Sequence, residues 1–262
     1  MEIVVCVKQV PDTTEVKIDP VTNTLIRQGV PSIVNPFDKN ALEAALQLRD
    51  QNGGKVTVVS MGPPQAKEAL KECIAMGADE AVLISDRAFG GADTLATSYT
   101  LAAAIRKIGN YDVIFCGKQA IDGDTAQVGP ELAEHLGIAQ LTYVAKMRVE
   151  GDCLRAEREH EDGYEVIETK LPVMISIIKS LQYEPRFPTV KGTRKASRIE
   201  IPMWGAADMD LDSNKIGLKG SATQVRKIFT PPQRKQGVTI ARETARDAVN
   251  ELLAKLTEAK IV

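Results

Sequence analysis

A chain of 262 residues, 44% hydrophobic and 26% charged, can bury one large core and has the composition of an ordinary globular protein. Its formal net charge of −2 excludes a general nucleic-acid binder, which carries a strong basic excess. No apolar run reaches the roughly eighteen residues that cross a bilayer. The start, Met1-Glu2-Ile3-Val4-Val5-Cys6, lacks the basic stretch and cleavage site of a signal peptide, so a cytoplasmic protein is expected.

The first half alternates strand and helix. Glu2–Val7 reads as a strand, Phe37–Arg49 as a helix and Lys55–Ser60 as a strand. Pro64–Met76 follows as a helix, Ala81–Ser85 as a strand and Thr94–Ile108 as a helix. Tyr111–Cys116 is a strand that leads through a loop into a helix starting near Gln127. The strands are continuous Val/Ile runs, as expected when helices cover both faces. This alternation predicts an α/β fold with an open, mostly parallel sheet and right-handed crossovers. Before the first helix, Asn35 suits an N-cap, Pro36 the first helical position and Asp38 the acidic end of the first turn. Capping alone accounts for that pattern.

After Gly137 the period changes. Leu141–Glu150, Leu154–Glu159 and Glu165–Lys170 alternate apolar and polar residues across Gly151-Asp152 and Asp162-Gly163 turns, which predicts antiparallel hairpins. Pro172–Lys179 reads as another buried strand. Residues 184–235 are rich in Pro, Gly and basic residues, hold the only tryptophan, Trp204, and show weak periodicity. So long a structureless stretch is expected to lie on another surface. Ala245, Ala248, Val249, Leu252, Leu253 and Leu256 then share one helix face, which needs a partner surface or its own core. The expected organisation is an α/β domain over 1–199 and a C-terminal arm and helix over 200–262.

Cys6, Cys73, Cys116 and Cys153 form no Cys-x-x-Cys pair, and His135 and His160 have no second ligand at metal spacing. Neither a zinc site nor a Cys–His nucleophile is expected, and His135 is assigned to a helix surface. Redox chemistry would have to come from a bound cofactor.

The stretch 111–137 carries the most information. A strand's carboxyl end beside a helix start is where open α/β sheets bind ligands, and the first-turn N–H groups favour phosphate. Gly117 and Gly123 let the backbone approach a ligand, and Thr125 offers a hydroxyl. Asp122 and Asp124 would repel a phosphate, so they are read as turn formers or caps bonding local N–H groups. An ordinary strand–turn–helix corner would carry the same pattern.

Taken together, several motifs resemble the β subunit family of electron transfer flavoproteins. They are Val7-Lys8-Gln9-Val10-Pro11, Val34-Asn35-Pro36-Phe37-Asp38, Ala75-Met76-Gly77-Ala78-Asp79, Gly117-Lys118-Gln119-Ala120-Ile121-Asp122, Glu168-Thr169-Lys170-Leu171-Pro172-Val173 and Glu184-Pro185-Arg186. The resemblance implies a Rossmann-like (adenine nucleotide alpha hydrolase-like) sheet and an obligate heterodimer with an α subunit whose mobile domain carries FAD. It also implies nucleotide contacts at Cys6, Asn35, Pro36, Phe37, Asp38 and Met61. Further contacts fall on Gly117, Lys118, Gln119, Ala120, Ile121, Asp122, Gly123, Asp124, Thr125, Ala126, Gln127 and Val128. Ordinary family members hold AMP there, whereas an electron-bifurcating group holds a second FAD. The run Asp122-Gly123-Asp124-Thr125-Ala126-Gln127-Val128-Gly129-Pro130 and the segment Lys219–Val225 resemble the bifurcating group. That group implies oxidation of NADH, with electrons passed to ferredoxin or flavodoxin and, through the α-subunit FAD, to an acyl-CoA dehydrogenase. By the same resemblance, Val190, Lys191, Arg194 and Lys195 dock the dehydrogenase and Glu159 contacts the mobile flavin domain. A stand-alone nucleotide-binding stress-type module and an ATP-dependent adenylating enzyme remain as other readings. The adenylating enzyme needs a Ser-Gly-Gly-x-Asp-Ser-like loop, where Lys8-Gln9-Val10-Pro11 stands instead.

Overall fold

The computed structural model describes residues 1–12, 31–226 and 237–262. It divides into two compact units, Met1–Arg226 and Lys227–Val262. The first unit opens with β1 (Glu2–Cys6), a short pair β2 (Gln9–Pro11) and β3 (Ser32–Val34), α1 (Pro36–Asn52) and β4 (Lys55–Met61). Then come α2 (Lys67–Met76), β5 (Glu80–Ile84), α3 (Thr94–Ile108), β6 (Val113–Gly117) and α4 (Val128–Leu136). A meander of β7 (Ala139–Glu150), β8 (Cys153–His160) and β9 (Gly163–Lys170) follows, then β10 (Val173–Ile177), α5 (Val190–Ala196), β11 (Met203–Trp204) and α6 (Gly217–Gly220).

Among the described residues nine strands form one sheet in the order β11-β5-β4-β1-β6-β10-β7-β8-β9. Every pair from β11 to β7 is parallel, and β7, β8 and β9 are antiparallel. The expected open, mostly parallel α/β sheet with added hairpins is therefore what the chain adopts. Successive strand residues face opposite sides, so Val5 packs with Leu42, Leu46, Leu70 and Ile74 of α1 and α2, while Val4 packs with Ile105 and Leu132 of α3 and α4. Ala41, Ala44 and Ala45 of α1 are wholly buried, and their small side chains let the helix axis approach the sheet.

The stretch around Trp204 departs from expectation. Ile201, Met209 and Ile216 are buried in the first unit, and Met203 and Trp204 pair in parallel with Leu83 and Ile84 of β5. Lys107 Nζ covers the Trp204 ring at 4.4 Å. Residues 200–226 thus belong to the α/β unit, and a two-residue strand has no period by which a sequence could announce it. The pair β2 and β3 was missed for the same reason. In the second unit, α7 (Ala245–Glu258) is capped by Thr244, whose hydroxyl oxygen accepts from Asp247 N at 3.2 Å. Its Val249, Leu252 and Leu253 are each about half exposed. Among the described residues no helix is long and apolar enough to cross a membrane.

Candidate functional site

The chain leaves β1 for β4 on one side, while β6 flanks β1 on the other. This is the topological switch point, where the loops after β1 and β6 diverge and open a crevice outside the strand carboxyl ends. Cys6 and Cys116 lie in register at its base, buried on the α3–α4 face. A hydrogen bond with Cys6, together with burial, pushes the Cys116 thiol above its ordinary value, so it is no thiolate nucleophile.

Two buried polar side chains hold the crevice open. Asn35 occupies the N-cap position of α1, with Pro36 following, yet its side chain makes no capping bond. Instead its Nδ2 donates to the Gln119 carbonyl at 2.8 Å, and its Oδ1 accepts from Ile121 N at 3.1 Å. The capping role expected for Asn35 is therefore replaced by a clamp on the loop after β6. Asp38 likewise is no surface acid at a helix end. Its carboxylate accepts from the amides of Lys8 at 2.7 Å and Gly117 at 3.2 Å, which staples both loops to α1. Burial pushes the Asp38 carboxyl up to about 7, against the opposing pull of bonds from Asn35, Lys8 and Gly117. Gly117 has no room for more than hydrogen, since a Cβ there would stand 2.3 Å from Asp38 Oδ1 and 2.6 Å from the Phe37 carbonyl carbon.

Along the loop, the amides of Gly123 and Asp124 both donate to the Ala120 carbonyl, at 3.3 and 2.9 Å. Asp124 and Ala126 both adopt the left-handed region, at φ +50° and +57°. The two aspartates do not cap local backbone, as the sequence led one to expect. Asp122 pairs with Lys8 Nζ at 2.6 Å, and Asp124 accepts from Gln119 Nε2 at 2.8 Å. Each carboxylate is thus occupied by a donor within the protein. Thr125 and Gly123 are exposed, and a Cβ on Gly123 would meet nothing within 4 Å. Gln127 is the N-cap residue of α4, and the amides of Val128 and Gly129 in the first turn have no intrahelical acceptor. Glu131 of that turn instead accepts from the hydroxyls of Thr94 at 3.1 Å and Ser98 at 3.3 Å. This donor-rich loop, with its carboxylates already engaged, fits an anionic nucleotide. A cleft of about 150 Å³ between Lys8, Pro11, Met61, Gln65 and Asp122 adjoins it and contains Met61.

The remaining expected residues lie elsewhere. Glu159 is exposed near the end of β8, opposite Tyr164 of β9. Val190 is 90% exposed at the start of α5, beside exposed Lys191 and Arg194. Lys195 Nζ donates to the carbonyls of Ala78 and Asp79 at 3.1 and 2.9 Å, so it fastens α5 to the body. His135 is not a simple surface residue. Among the described residues its buried Nε2 has no partner, and its ring meets Tyr99 edge-on at 5.7 Å. Sequence reasoning missed the structural use of Lys8, signalled only by a basic residue directly after the first strand. It also missed Asp93, which caps α3 and accepts from Thr223 N at 2.9 Å and Thr223 Oγ1 at 3.1 Å.

The fold is that of an open, mostly parallel α/β protein of the Rossmann-like type, with a crevice at its switch point. A family model described as "Electron transfer flavoprotein domain" matches residues 22–208. The chain is 59% identical to the electron transfer flavoprotein subunit beta of Clostridium acetobutylicum over 258 residues, covering 98% of each. It is 56% identical to the protein of the same name from Megasphaera elsdenii over 271 residues, covering 100% of each. It is 51% identical to the caffeyl-CoA reductase-Etf complex subunit CarD of Acetobacterium woodii over 263 residues, again covering 100% of each. The chain belongs to the electron transfer flavoprotein family.

Proposed function

We propose that this chain is the β subunit of an electron transfer flavoprotein, works as a heterodimer with an α subunit, and holds FAD at the switch-point crevice. In this reading the complex oxidises NADH and bifurcates the electrons. One goes to ferredoxin or flavodoxin, and the other, through the α-subunit FAD, to an acyl-CoA dehydrogenase. A flavin bound here would supply what no side chain of the crevice offers, acceptance of electrons in a pair and their release one at a time. The protein's own part is geometric. Asn35 and Asp38 fix the loop, while Thr125 and the first-turn amides of Val128 and Gly129, which have no intrahelical acceptor, would be the donors to phosphate oxygens. The observation that carries FAD over AMP is the open space at Gly123, with only a methyl group at Ala126, which leaves a path for a pyrophosphate.

AMP is the second reading, because the same clamp and the same amides would serve one phosphate as well as two. The deciding experiment is co-expression with the α subunit, followed by release and chromatographic counting of nucleotides. Two FAD and no AMP per heterodimer is the expected result; one FAD with one AMP would defeat bifurcation. The α subunit is the proposed cover for the half-exposed stripe of α7. A β chain that behaves well alone and keeps its full nucleotide would refute the obligate heterodimer. The segment carrying Phe187, Val190, Lys191 and Arg194 is the proposed docking site for the dehydrogenase, an apolar anchor beside basic side chains. Glu159 is proposed to contact the mobile flavin domain of α.

A further inference from the structure

The carboxyl edge of the sheet holds a strained residue that the crevice described above does not use. Tyr143 of β7 sits at φ +58°. Among the described residues only four non-glycine residues adopt the left-handed region, and Asp124 and Ala126 of the crevice loop are two of the others. A bulky aromatic there is an outlier, and such strain persists only where the surroundings enforce it.

The surroundings do enforce it. Leu141 stands opposite Ile175 and Val144 opposite Ile177, so β7 carries one residue more than β10 in this interval. The Tyr143 amide donates to Ser176 Oγ at 3.0 Å, and Ser176 is 4% exposed. Ser176 is in register with Cys116, and Cys116 with Cys6, so the bulge is tied to the row that floors the crevice. Next to it Lys118, the first residue after β6, donates its amide to the Ile177 carbonyl at 2.8 Å. Its Nζ lies 5.0 Å from the centroid of the Tyr143 ring.

The two lysines beside the crevice loop are held differently. Lys8 is neutralised by Asp122, whereas Lys118 rests on an aromatic face and pairs with no carboxylate among the described residues. A ring face attracts a cation without cancelling its charge. We infer that Tyr143 is a positioning residue, whose bulge holds the Lys118 ammonium beside the loop as counter-charge to a phosphate of the bound nucleotide. This rests on the nucleotide reading above, and the phosphate could come from FAD or from AMP.

The test measures retained FAD and retained AMP separately on the purified α/β complex, by serial dilution at low and high salt. Tyr143→Leu should weaken retention of whichever nucleotide the wild type holds by roughly three- to ten-fold at low salt. The loss should shrink at high salt, where the charge is screened. Tyr143→Phe keeps the ring and should restore retention. Tyr143→Gly accepts the positive φ without strain, so it should melt no lower than wild type and yet retain nucleotide as poorly as Tyr143→Leu. Lys118→Gln should show the same loss, and adding Tyr143→Leu to it should change nothing further. Wild-type retention in Tyr143→Gly or in Lys118→Gln would overturn the inference, as would additive losses in the double variant. A wild-type complex holding neither nucleotide in this subunit would instead overturn the nucleotide reading itself.

Discussion

The switch-point crevice and the segment 187–198 break the ordinary inside–outside rule in opposite directions. At the crevice, polar side chains go inside: Asn35 is 0% exposed and Asp38 6%. On the segment, apolar side chains go outside: Phe187 and Val190 are each 90% exposed. Buried polar groups and exposed large apolar groups are the informative exceptions to burial, and here each is enforced. Asn35 and Asp38 satisfy backbone groups that would otherwise be stranded. Phe187 and Val190 cannot fold back onto the surface because the chain is pinned around them. Arg186 is bonded to Glu43 through Nε at 2.7 Å and Nη2 at 3.0 Å, and to Asp50 through Nη1 at 3.0 Å. Thr189 N donates to the Ala75 carbonyl, and Gly192 lies so near that a Cβ would stand 2.1 Å from the same oxygen. In both regions it is a rigid backbone that holds the exceptional side chains where they are.

The sharpest way to break the crevice half of this comparison is Gly117→Ala. The added methyl meets backbone of α1, so we expect a loss of about 3 kcal/mol in denaturant melts, with nucleotide lost alongside. Unchanged stability would mean that the two loops are not stapled as described.

Asp38 gives a pH signature of comparable size. Its carboxyl rises from 3.8 to about 7 on burial, so between those values the folded chain keeps a proton that the unfolded chain has released. The stability from this group is present below about pH 4 and is lost as pH rises through about 7, a decline on the order of 4 kcal/mol. In Asp38→Asn that decline should vanish from melts taken across the window; a variant that keeps the wild-type slope would assign it to other groups.

The docking half is sharpened by Val190→Ala. Removing two methyl groups from an anchor that the proposed docking would bury corresponds to ~1 kcal/mol or more, hence roughly five-fold slower electron delivery to the dehydrogenase. NADH-driven reduction should continue at its wild-type rate, so delivery that is also unchanged would rule the anchor out. The smallest effect belongs to Glu159→Gln, since exposed ion pairs contribute only ~0.2–1 kcal/mol. We expect a shift in the populations of flavin-domain orientations, read by solution scattering, with a modest change in interflavin transfer. Identical populations and rates would remove Glu159 from the contact.

What was legible in the sequence was local. Strand and helix alternation shows in the Val/Ile runs and in the Ala-rich face of α1, and the residues around 117–128 already marked the crevice. The motifs in order marked the family. The roles of individual polar residues were not legible. Asn35-Pro36-Phe37-Asp38 has the same appearance whether Asn35 caps its own helix or clamps a loop elsewhere.

Amino-acid order by itself determined the longer strands and helices, because periodicity and capping act within a few residues, but not the two- and three-residue strands or the short helices α5 and α6. Only the tertiary structure decided what the polar groups do. Asn35 meets Gln119 across 84 positions, Gly117 meets Asp38 across 79 and Lys8 meets Asp122 across 114. No local pattern encodes such pairings; they exist because the sheet order brings the ends of β1 and β6 together over the start of α1. The strain at Tyr143 arises likewise from a register mismatch between two strands, a property that neither strand has alone.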